Sequence, residues 1–391
     1  MTEGVPLRIG IDIRTIDAAS GQQRYLWRLA TWLADRGEEV EVLSTRSGDS
    51  AVPPHPRRRV HSLKGLRGGA LRAAVRALDL DVFFANPERA DAYRGLPMHV
   101  LRPGYGTRQG IQNLRSVRNP WLRAGYALAR AAPWERLALA RERAWYAQTR
   151  PAPHVIAISE RMARAIRADY GVPAERVHVV HNGVDLEEFS PLRRVEARAA
   201  ERARLGIEPE AVCLLFVGHN FRRKGLLELL DALAGLGPAG ASVRLLVAGR
   251  GTGEGQRRRT RAHVARSGLE DRVRFAGDVR PVSRAYAAAD ALVFPSWHDA
   301  FGFVVLEAMA SGLPVVTTRF AGAHEVVRSG VDGFVLDAPD HRSALDAALR
   351  GLLDAGVRDA MGAAARAQAE HYGEEANFEQ VYRVIREAAR G

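Results

Sequence analysis

The chain has 391 residues and a formal net charge of +12, with 47% hydrophobic and 26% charged residues. This composition is that of a globular protein, excludes a disordered or fibrous chain, and at this length predicts two domains. No apolar run approaches the ~18 residues of a transmembrane helix, so a membrane-spanning protein is not expected.

The first half of the chain alternates between apolar strand patterns and helical patterns. Strands are predicted at Leu7–Ile13, Val40–Leu43, Val82–Ala85, His154–Ile158 and Val177–Val180. Helices are predicted near 25–33, 71–78, 134–148 and 160–170, where apolar residues recur at spacings of three and four. Ser159 is the expected N-cap of the last of these helices.

The second half repeats this alternation more clearly. Strands are predicted at Val212–Val217, Val243–Ala248, Val273–Ala276, Ala291–Phe294, Pro314–Thr317 and Gly333–Val335. Alternating strands and helices predict a parallel sheet covered on both faces, so the fold class is α/β with two tandem doubly wound domains. We place the first domain at 1–190, the second at 191–372, and a linker in the charged stretch 191–200. Ligands of such domains bind at the carboxyl ends of the strands.

The positive charge is concentrated in one part of the chain. Residues 51–150 contain 19 Arg or Lys and only 6 Asp or Glu, so the remainder of the chain is close to neutral. Such a basic patch attracts phosphorylated lipids, anionic membrane surfaces or nucleic acid. A general preference for Arg is the alternative explanation of the patch. Because aromatic platforms for single strands are sparse there, no nucleic-acid partner is expected.

The N-terminus and the single cysteine favour a cytoplasmic protein. The first residues lack a basic start followed by an apolar stretch and a cleavage site, so no secretory signal is predicted. Cys213 lies in an apolar strand, where it cannot form an internal disulfide and is expected to serve in packing. We therefore expect a cytoplasmic enzyme, with peripheral contact to the inner membrane face as one use of the basic patch.

One candidate site follows the predicted strand that ends at Phe294. A loop containing Asp299 leads into a helix that starts near Gly302, and Glu307 lies about two turns later. The first amides of a helix favour anionic or oxygen-rich ligands, and two carboxylates can accept hydrogen bonds from vicinal sugar hydroxyls. The alternatives are a helix cap for Asp299 and a surface acid for Glu307. A carboxylate inside the apolar segment 304–310, however, needs partners.

A basic loop, 218–225, follows the first strand of the second half. Gly218 permits close backbone approach, and Arg222, Arg223 and Lys224 bring cations to the crevice mouth, as binding of a diphosphate requires. Lys224 is one of only two lysines in an Arg-rich chain, which indicates a specific need for a compact ammonium. A solvated basic loop is the alternative.

The remaining motifs argue against other cofactors. The glycines that begin at Gly249 follow the second strand of their domain and lack the acidic partner of a dinucleotide site, so NAD is not expected. Asp79 and Asp81 lie where a helix meets a strand, which favours a structural role. The histidines show no metal-ligand spacing with Cys or acidic residues, so we predict neither a metal nor a cofactor.

Several segments resemble, in chain order, the motifs of the family 4 retaining glycosyltransferases. The segment from Asp299 to Glu307 is similar to the family's E-x7-E signature, with Asp in place of the first Glu. Further similar segments lie at 156–160, 179–189, 218–225 and 275–279. Within the family, the sequences at 102–106 and 221–225 are nearest to the lipopolysaccharide core glucosyltransferase group.

The resemblance assigns roles to residues by position. The catalytic residues that it implies are Asp299, Glu307, Arg223 and Lys224. The donor-binding residues that it implies are Gly218, Arg222, Arg223, Lys224, Gly249, Val279, Ala300, Phe301, Gly302, Phe303 and Glu307. The acceptor-side residues that it implies are Gly21, Arg24, Arg102 and Arg108. The loop before Gly21 lacks the family's paired glycines, and Arg108 stands where members of the group often carry His, so the acceptor is less defined than the donor.

The resemblance also implies a fold and a reaction. It implies two Rossmann-like domains of the GT-B fold that face a cleft, with the last helix, 373–391, joining the first domain. The reaction implied is retaining, front-face transfer of a hexose from a nucleotide-diphosphate sugar, with UDP expected, to a glycan, a glycolipid or a small molecule. The alternatives are a sugar-nucleotide epimerase or phosphorylase of the same fold, an inactive donor-binding relative, and a nucleic-acid-binding protein that uses residues 51–150.

Overall fold

The structure is a computed structural model that describes residues 5–13, 21–44, 53–85, 92–93, 95–97, 99–104, 137, 140, 142–146 and 152–390. The described residues form two compact units. The first unit combines the described residues up to His181 with those from Asn377, and the second contains the described residues from Asn182 to Ala376. The sequence-based boundaries lie close by, at 190/191 and 372/373.

The first unit contains a parallel sheet of seven strands. They are β1 Arg8–Ile13, β2 Glu39–Ser44, β3 Arg58–Ser62, β4 Val82–Ala85, β5 Val100–Leu101, β6 His154–Ala157 and β7 Val177–Val179. Their order in the sheet is β3-β2-β1-β4-β5-β6-β7. The central strand β1 is buried from Ile9 to Ile13 because both of its edges are paired and helices cover a sheet of this kind on its faces.

The second unit contains a parallel sheet of six strands. They are β8 Val212–Val217, β9 Val243–Ala248, β10 Val273–Gly277, β11 Ala291–Val293, β12 Val315–Thr318 and β13 Gly333–Leu336. Their order is β10-β9-β8-β11-β12-β13, so the strand order reverses between β8 and β11. In a doubly wound sheet this reversal opens the crevice in which ligands bind.

Residues 137, 140 and 142–146 are helical, and eleven further α-helices have both ends within the described residues. They are α1 Gly21–Asp35, α2 Gly68–Arg76, α3 Glu160–Tyr170, α4 Pro191–Leu205, α5 Leu226–Gly235, α6 Glu254–Arg266, α7 Ser283–Ala288, α8 Phe303–Ala310, α9 Arg342–Gly351, α10 Ala355–Ala369 and α11 Glu374–Ala388. The N-cap prediction for α3 is confirmed, since Ser159 Oγ accepts a hydrogen bond from the Met162 amide at 3.1 Å. Among all described helices, none combines the length and the apolar character that crossing a bilayer requires.

Two strands were missed by the sequence analysis. Strand β3 lies at the edge of the first sheet, and most of its residues are exposed or half-buried. An edge strand of this kind can be built from Arg, His and Ser, so it shows no apolar pattern. Strand β5 has two residues, too few for any period to appear. Most of the helix predicted at 134–148 lies outside the described residues.

The linker predicted at 191–200 was wrong, because this segment belongs to helix α4. Ser190 caps the helix, with its Oγ 3.3 Å from the Arg193 amide, and Gly206 ends it in a left-handed conformation. Arg194, Arg198 and Arg202 recur every four residues and therefore share one face of the helix. The charge that suggested a solvated linker is used in a buried network instead.

That network is centred on Asp290, which immediately precedes β11. Its carboxylate binds the guanidinium of Arg198 at 2.5 Å and that of Arg202 at 2.6 Å, and it also accepts the Cys213 amide at 2.7 Å. The side chain of Arg202 is 4% exposed, so the ion pair lies in a region of low dielectric. Burial raises the pKa of the Cys213 thiol to about 12, consistent with the packing role predicted for this cysteine.

Candidate active site

Glycines line the carboxyl ends of three neighbouring strands in the second unit. The Gly218 amide donates to the Ala248 carbonyl at 2.9 Å, and the Gly249 amide donates to the Gly277 carbonyl at 2.6 Å. Gly249 has a φ of +132°, and a Cβ atom there would lie 2.1 Å from the Gly218 oxygen. Only glycine allows the ends of β8, β9 and β10 to meet this closely.

Loop 218–225 is held by polar side chains on both sides. Asn220 Oδ1 accepts the Arg223 amide at 3.1 Å. Gln256, in the first turn of α6, accepts the Phe221 amide at 3.3 Å and the Thr252 amide at 2.9 Å. Gln256 therefore ties the basic loop after β8 to the glycine-rich loop after β9.

The same loop is attached to the segment that follows β11. The Arg223 carbonyl accepts the Trp297 amide at 2.9 Å and lies 3.3 Å from Ser296 Oγ. The indole of Trp297 donates to Glu228 at 2.9 Å. Burial raises the pKa of Glu228, and the indole hydrogen bond limits the rise. The backbone at Arg223 is thus held in one position before any ligand binds.

Lys224 and Asp299 are in direct contact, although 75 residues separate them. The Lys224 ammonium donates to Asp299 Oδ2 and lies 5.1 Å from the centroid of the Phe294 ring. Lys224 is only 8% exposed. Burial lowers the pKa of Lys224, and the carboxylate opposes this fall. Burial raises the pKa of Asp299, but the Lys224 charge and hydrogen bond outweigh burial and hold that pKa below its usual value.

A tight turn carries the chain from Asp299 into helix α8. Asp299 Oδ1 accepts the Phe301 amide at 3.2 Å, and the Asp299 amide donates to the Phe320 carbonyl at 3.1 Å. Gly302 has a φ of +98°, and a Cβ atom there would lie 3.3 Å from the Phe294 ring. The turn buries Ala300 and leaves α8 to start at Phe303.

Glu307 has the partner that its apolar surroundings require. The residue is 5% exposed, and its Oε2 accepts a hydrogen bond from the Tyr286 hydroxyl at 2.7 Å. The Tyr286 ring packs edge-on against Phe189, with centroids 5.5 Å apart. The surface-acid alternative for Glu307 is therefore wrong.

Exposed charges surround Asp278 at the end of β10. Its carboxylate binds Arg250 at 2.8 Å, lies 3.3 Å from Arg280, and lies 3.9 Å from the His219 ring. Val279, one of the residues assigned to the donor, follows directly and is half-buried. Since the two guanidinium groups share one carboxylate, this corner of the crevice carries net positive charge.

The acceptor-side residues lie in the first unit. Gly21 begins helix α1, and Arg24 in its first turn is half-buried. Arg102 is 3% exposed, and its guanidinium lies 4.1 Å from the centroid of the Tyr25 ring. Burial lowers the pKa of Arg102. Arg108 lies outside the described residues.

Four residues that shape the site were not predicted from the sequence. They are Tyr286, Trp297, Glu228 and Gln256. A signal for Glu228 existed, because it is an acid among leucines in α5, as Glu307 is an acid in the apolar helix α8. Tyr286 carried no such signal, since a tyrosine in an alanine-rich segment predicts only packing.

One cluster in the described part of the chain has the geometry of a metal site. His154, His178 and Glu387 bring one ligand atom each within 4.8 Å of one another in the first unit. The Arg176 guanidinium donates to His154 Nε2, so the Nδ1 atom of His154 carries the proton and donates to His178 at 2.9 Å. This arrangement favours a hydrogen-bonded chain, which a cation would have to break. Sequence spacing concealed the cluster because its members come from three separate elements.

Gly225 offers a test of how the basic loop is packed. Its φ is +78°, and a Cβ atom would lie 1.9 Å from the Pro295 carbonyl oxygen. We expect Gly225→Ala to reduce the free energy of unfolding by about 1–3 kcal/mol more than Gly237→Ala, because backbone must move to accept the methyl group. Gly237 is the matched control, with a φ of +55° and no atom within 4 Å of an added Cβ. Chemical denaturation of both variants measures the difference, and equal losses would contradict the close packing.

Comparison with protein families gives matches over most of the chain. The family described as Glycosyltransferase Family 4 matches residues 19–188, and the one described as Glycosyl transferases group 1 matches 211–355. A D-inositol 3-phosphate glycosyltransferase of Xylanimonas cellulosilytica is 32% identical over 91% of this chain and 88% of that protein. The protein of the same name from Streptomyces bingchenggensis is 34% identical over 61% of this chain, and the match spans 54% of that protein.

Solved structures show the same architecture. WaaG, a glycosyltransferase involved in lipopolysaccharide biosynthesis, superposes with a TM-score of 0.78 at 22% identity over 96% of this chain and 99% of that chain. Anabaena HepE in complex with UDP-glucose gives a TM-score of 0.75 at 22% identity over 97% of this chain and 100% of that chain. The fold expectation of two Rossmann-like domains of the GT-B type is confirmed.

Proposed function

Because this chain belongs to the family 4 glycosyltransferases, we propose that it transfers a hexose from a nucleotide-diphosphate sugar, with UDP as the expected carrier, and retains the anomeric configuration. The observation that carries this proposal is the contact between Lys224 and Asp299. It brings the basic loop after β8 and the acidic turn after β11 to one point beside the strand reversal, where a doubly wound sheet binds its ligand.

The cations of the basic loop have a direct use in this reaction. As the bond between the anomeric carbon and the diphosphate breaks, negative charge grows on the departing phosphate oxygen. Arg223 and Lys224 stabilise that charge, and a rigid backbone at Arg223 means that little reorganisation is needed. Arg222, which is exposed, is the alternate to Arg223.

The proposed transfer takes place on one face of the sugar. The acceptor hydroxyl forms the new bond to the anomeric carbon on the side from which the diphosphate leaves. Its proton passes to the departing phosphate oxygen, so no covalent enzyme intermediate is needed. The step is accelerated because the site binds the separated charges of the transition state more tightly than it binds the ground state.

The two acids orient the donor in this proposal. Asp299 is ionised beside Lys224, so its carboxylate accepts hydrogen bonds from sugar hydroxyls, together with the amides of the turn to Phe303. Glu307, oriented by the Tyr286 hydroxyl, binds ribose hydroxyls. Gly249 and Val279 approach the nucleotide with their backbone. No metal and no cofactor are part of the proposal.

The acceptor is proposed by class. A glycan, a glycolipid or a small molecule would meet the first unit near Gly21, Arg24, Arg102 and Arg108. The names of the relatives favour one specific candidate, D-inositol 3-phosphate. Its phosphate suits the arginines among these acceptor-side residues. The exposed basic residues Arg57, Arg59 and Lys64 of the first unit suit peripheral contact with an anionic membrane.

A thermal-shift panel tests the donor. Wild-type protein is melted with UDP, GDP, ADP, TDP and their sugar conjugates, beside Lys224→Ala. A ligand at ~100 times its dissociation constant adds about 2.7 kcal/mol to the folded state, which raises the melting temperature by several degrees. We expect a shift with UDP and its sugar conjugate that Lys224→Ala loses. A cooperative melt without a shift for any nucleotide would contradict donor binding and favour an inactive relative.

Product analysis tests the reaction itself. The donor identified by the panel is incubated with inositol 3-phosphate and with simple glycan acceptors, and the anomeric configuration of each product is read from its proton NMR coupling. Retention is expected. An inverted product would overturn the front-face mechanism, and an altered sugar nucleotide without transfer would favour an epimerase.

A further inference from the structure

A cavity of about 430 Å³ opens at the amino edge of the second sheet. It is lined by Pro191 at the start of α4, by Asp290 just before β11, and by Gly312 in the turn that leads into β12. The proposed donor site lies at the carboxyl ends of the same strands. The cavity is therefore a separate feature of the second unit, which the proposed transfer does not use.

Three arginines line this cavity. They are Arg194 of α4 and Arg358 and Arg366 of α10. The carboxylate of Asp290 is shared by Arg198, Arg202 and, at 3.8 Å, Arg194. The other acid of the lining is the exposed Asp359. The cavity is consequently electropositive.

The guanidinium groups are held in place by backbone carbonyls. Arg194 donates to the Ala289 carbonyl at 3.0 Å, Arg358 to the Leu352 carbonyl at 2.7 Å, and Arg366 to the Ala310 carbonyl at 3.0 Å. These bonds fix each side chain. Arg366 also forms an ion pair with Glu370 at 2.9 Å, but the Glu370 side chain is 55% exposed, so water screens this pair. A fixed guanidinium loses little conformational entropy when it binds a further oxyanion.

Two glycines line the cavity. Gly312 has a φ of +71°, and a Cβ atom on Gly362 would lie 2.4 Å from the Gly312 oxygen. A side chain at either position would displace backbone or fill the space. Because neither glycine carries a side chain, α10 can approach the turn closely and the cavity between the arginines stays open.

We propose that this cavity is a binding site for a soluble small molecule that carries a phosphomonoester. Its volume lies in the range of about 300–1,000 Å³ that holds small ligands. Guanidinium groups match the geometry and the charge of phosphate oxygens. We commit to a soluble ligand because the cavity has the size of a small metabolite. The proposal is independent of the proposed function.

Ala363 gives a test that removes no existing hydrogen bond. It lies exposed on α10 and lines the cavity. Calorimetric titrations use inorganic phosphate and glucose 6-phosphate, with the full chain saturated with UDP so that the proposed donor site is filled. We expect Ala363→Glu to weaken binding of both probes at least about tenfold, because it adds a negative charge beside the arginines. Ala363→Gln has the same size without the charge and should bind like the wild type.

A second variant tests for a gain of affinity. Asp359→Asn removes the exposed acid of the lining and should strengthen binding of both probes about fivefold. Thermal melts check that all variants fold. If Ala363→Glu does not fold, the proposal is tested by whether Asp359→Asn binds both probes more tightly than the wild type does. No binding by the wild type, or equal binding by the Glu and Gln variants of Ala363, would overturn the proposal.

A vesicle arm distinguishes a soluble phosphate from a lipid headgroup. Pelleting with anionic phospholipid vesicles should be unchanged between the Glu and Gln variants of Ala363. Selective loss of pelleting in the Glu variant would assign the cavity to a lipid headgroup and overturn the soluble ligand. UDP binding is measured in parallel. If phosphate binding is lost while UDP binding is unchanged, the change concerns the cavity and not the donor site.

Discussion

Lys224→Ala is expected to lower the turnover number about a hundredfold or more. Lys224 contacts Asp299 and belongs to the basic loop, whose backbone is held at Arg223. Removing one preorganised group that stabilises charge in a transition state costs on the order of 10²–10³ in rate. Release of UDP from UDP-glucose in the presence of acceptor measures the effect.

The other lysine of the chain provides the matched control. Lys64 is exposed in the first unit, and Lys64→Ala makes the same chemical change outside the proposed donor residues. We expect near-normal turnover for that variant. A thermal melt separates loss of catalysis from loss of folding in Lys224→Ala. Near-normal turnover in a folded Lys224→Ala protein would remove the proposed role.

Asp290→Asn is expected to reduce the free energy of unfolding by about 3–5 kcal/mol, the usual cost of removing one partner from a buried ion pair. The amide keeps the shape of the side chain but no longer compensates Arg202, which is 4% exposed, or Arg198. Urea denaturation, followed by fluorescence, measures the loss.

A surface ion pair gives the comparison for this variant. Arg319 and Asp337 lie 2.8 Å apart, with side chains 62% and 70% exposed. Asp337→Asn should change stability by no more than about 1 kcal/mol, because water and salt screen such pairs. Similar losses for the two variants would show that the Asp290 network is worth no more than a surface pair.

The sequence by itself determined the alternation of strands and helices in the second unit. Strands β8 and β9 were predicted with their observed bounds, because buried parallel strands are continuous apolar runs between turns. The basic loop and the acidic turn were found as candidates for a similar reason. Both follow a strand directly, and local order along the chain is enough to place a residue at the end of a strand.

The partners of the site residues were decided by the tertiary structure. Lys224 meets Asp299 because β8 and β11 are neighbours in the sheet, and Tyr286 reaches Glu307 because α7 contacts α8. Each pair joins residues far apart in sequence, where no periodicity connects them. A motif shows which residue types are available, but only packing of the sheet selects which of them meet.

The same reason explains the errors. The charges of α4 resembled a solvated linker because their partner, Asp290, follows almost a hundred residues later. The cavity could not be predicted because its arginines come from α4 and α10, while Gly312 comes from the turn before β12. The preference of a segment for a strand or a helix depends on neighbouring residues and can be predicted from the sequence. Buried ion pairs and cavities form only after distant segments have packed together.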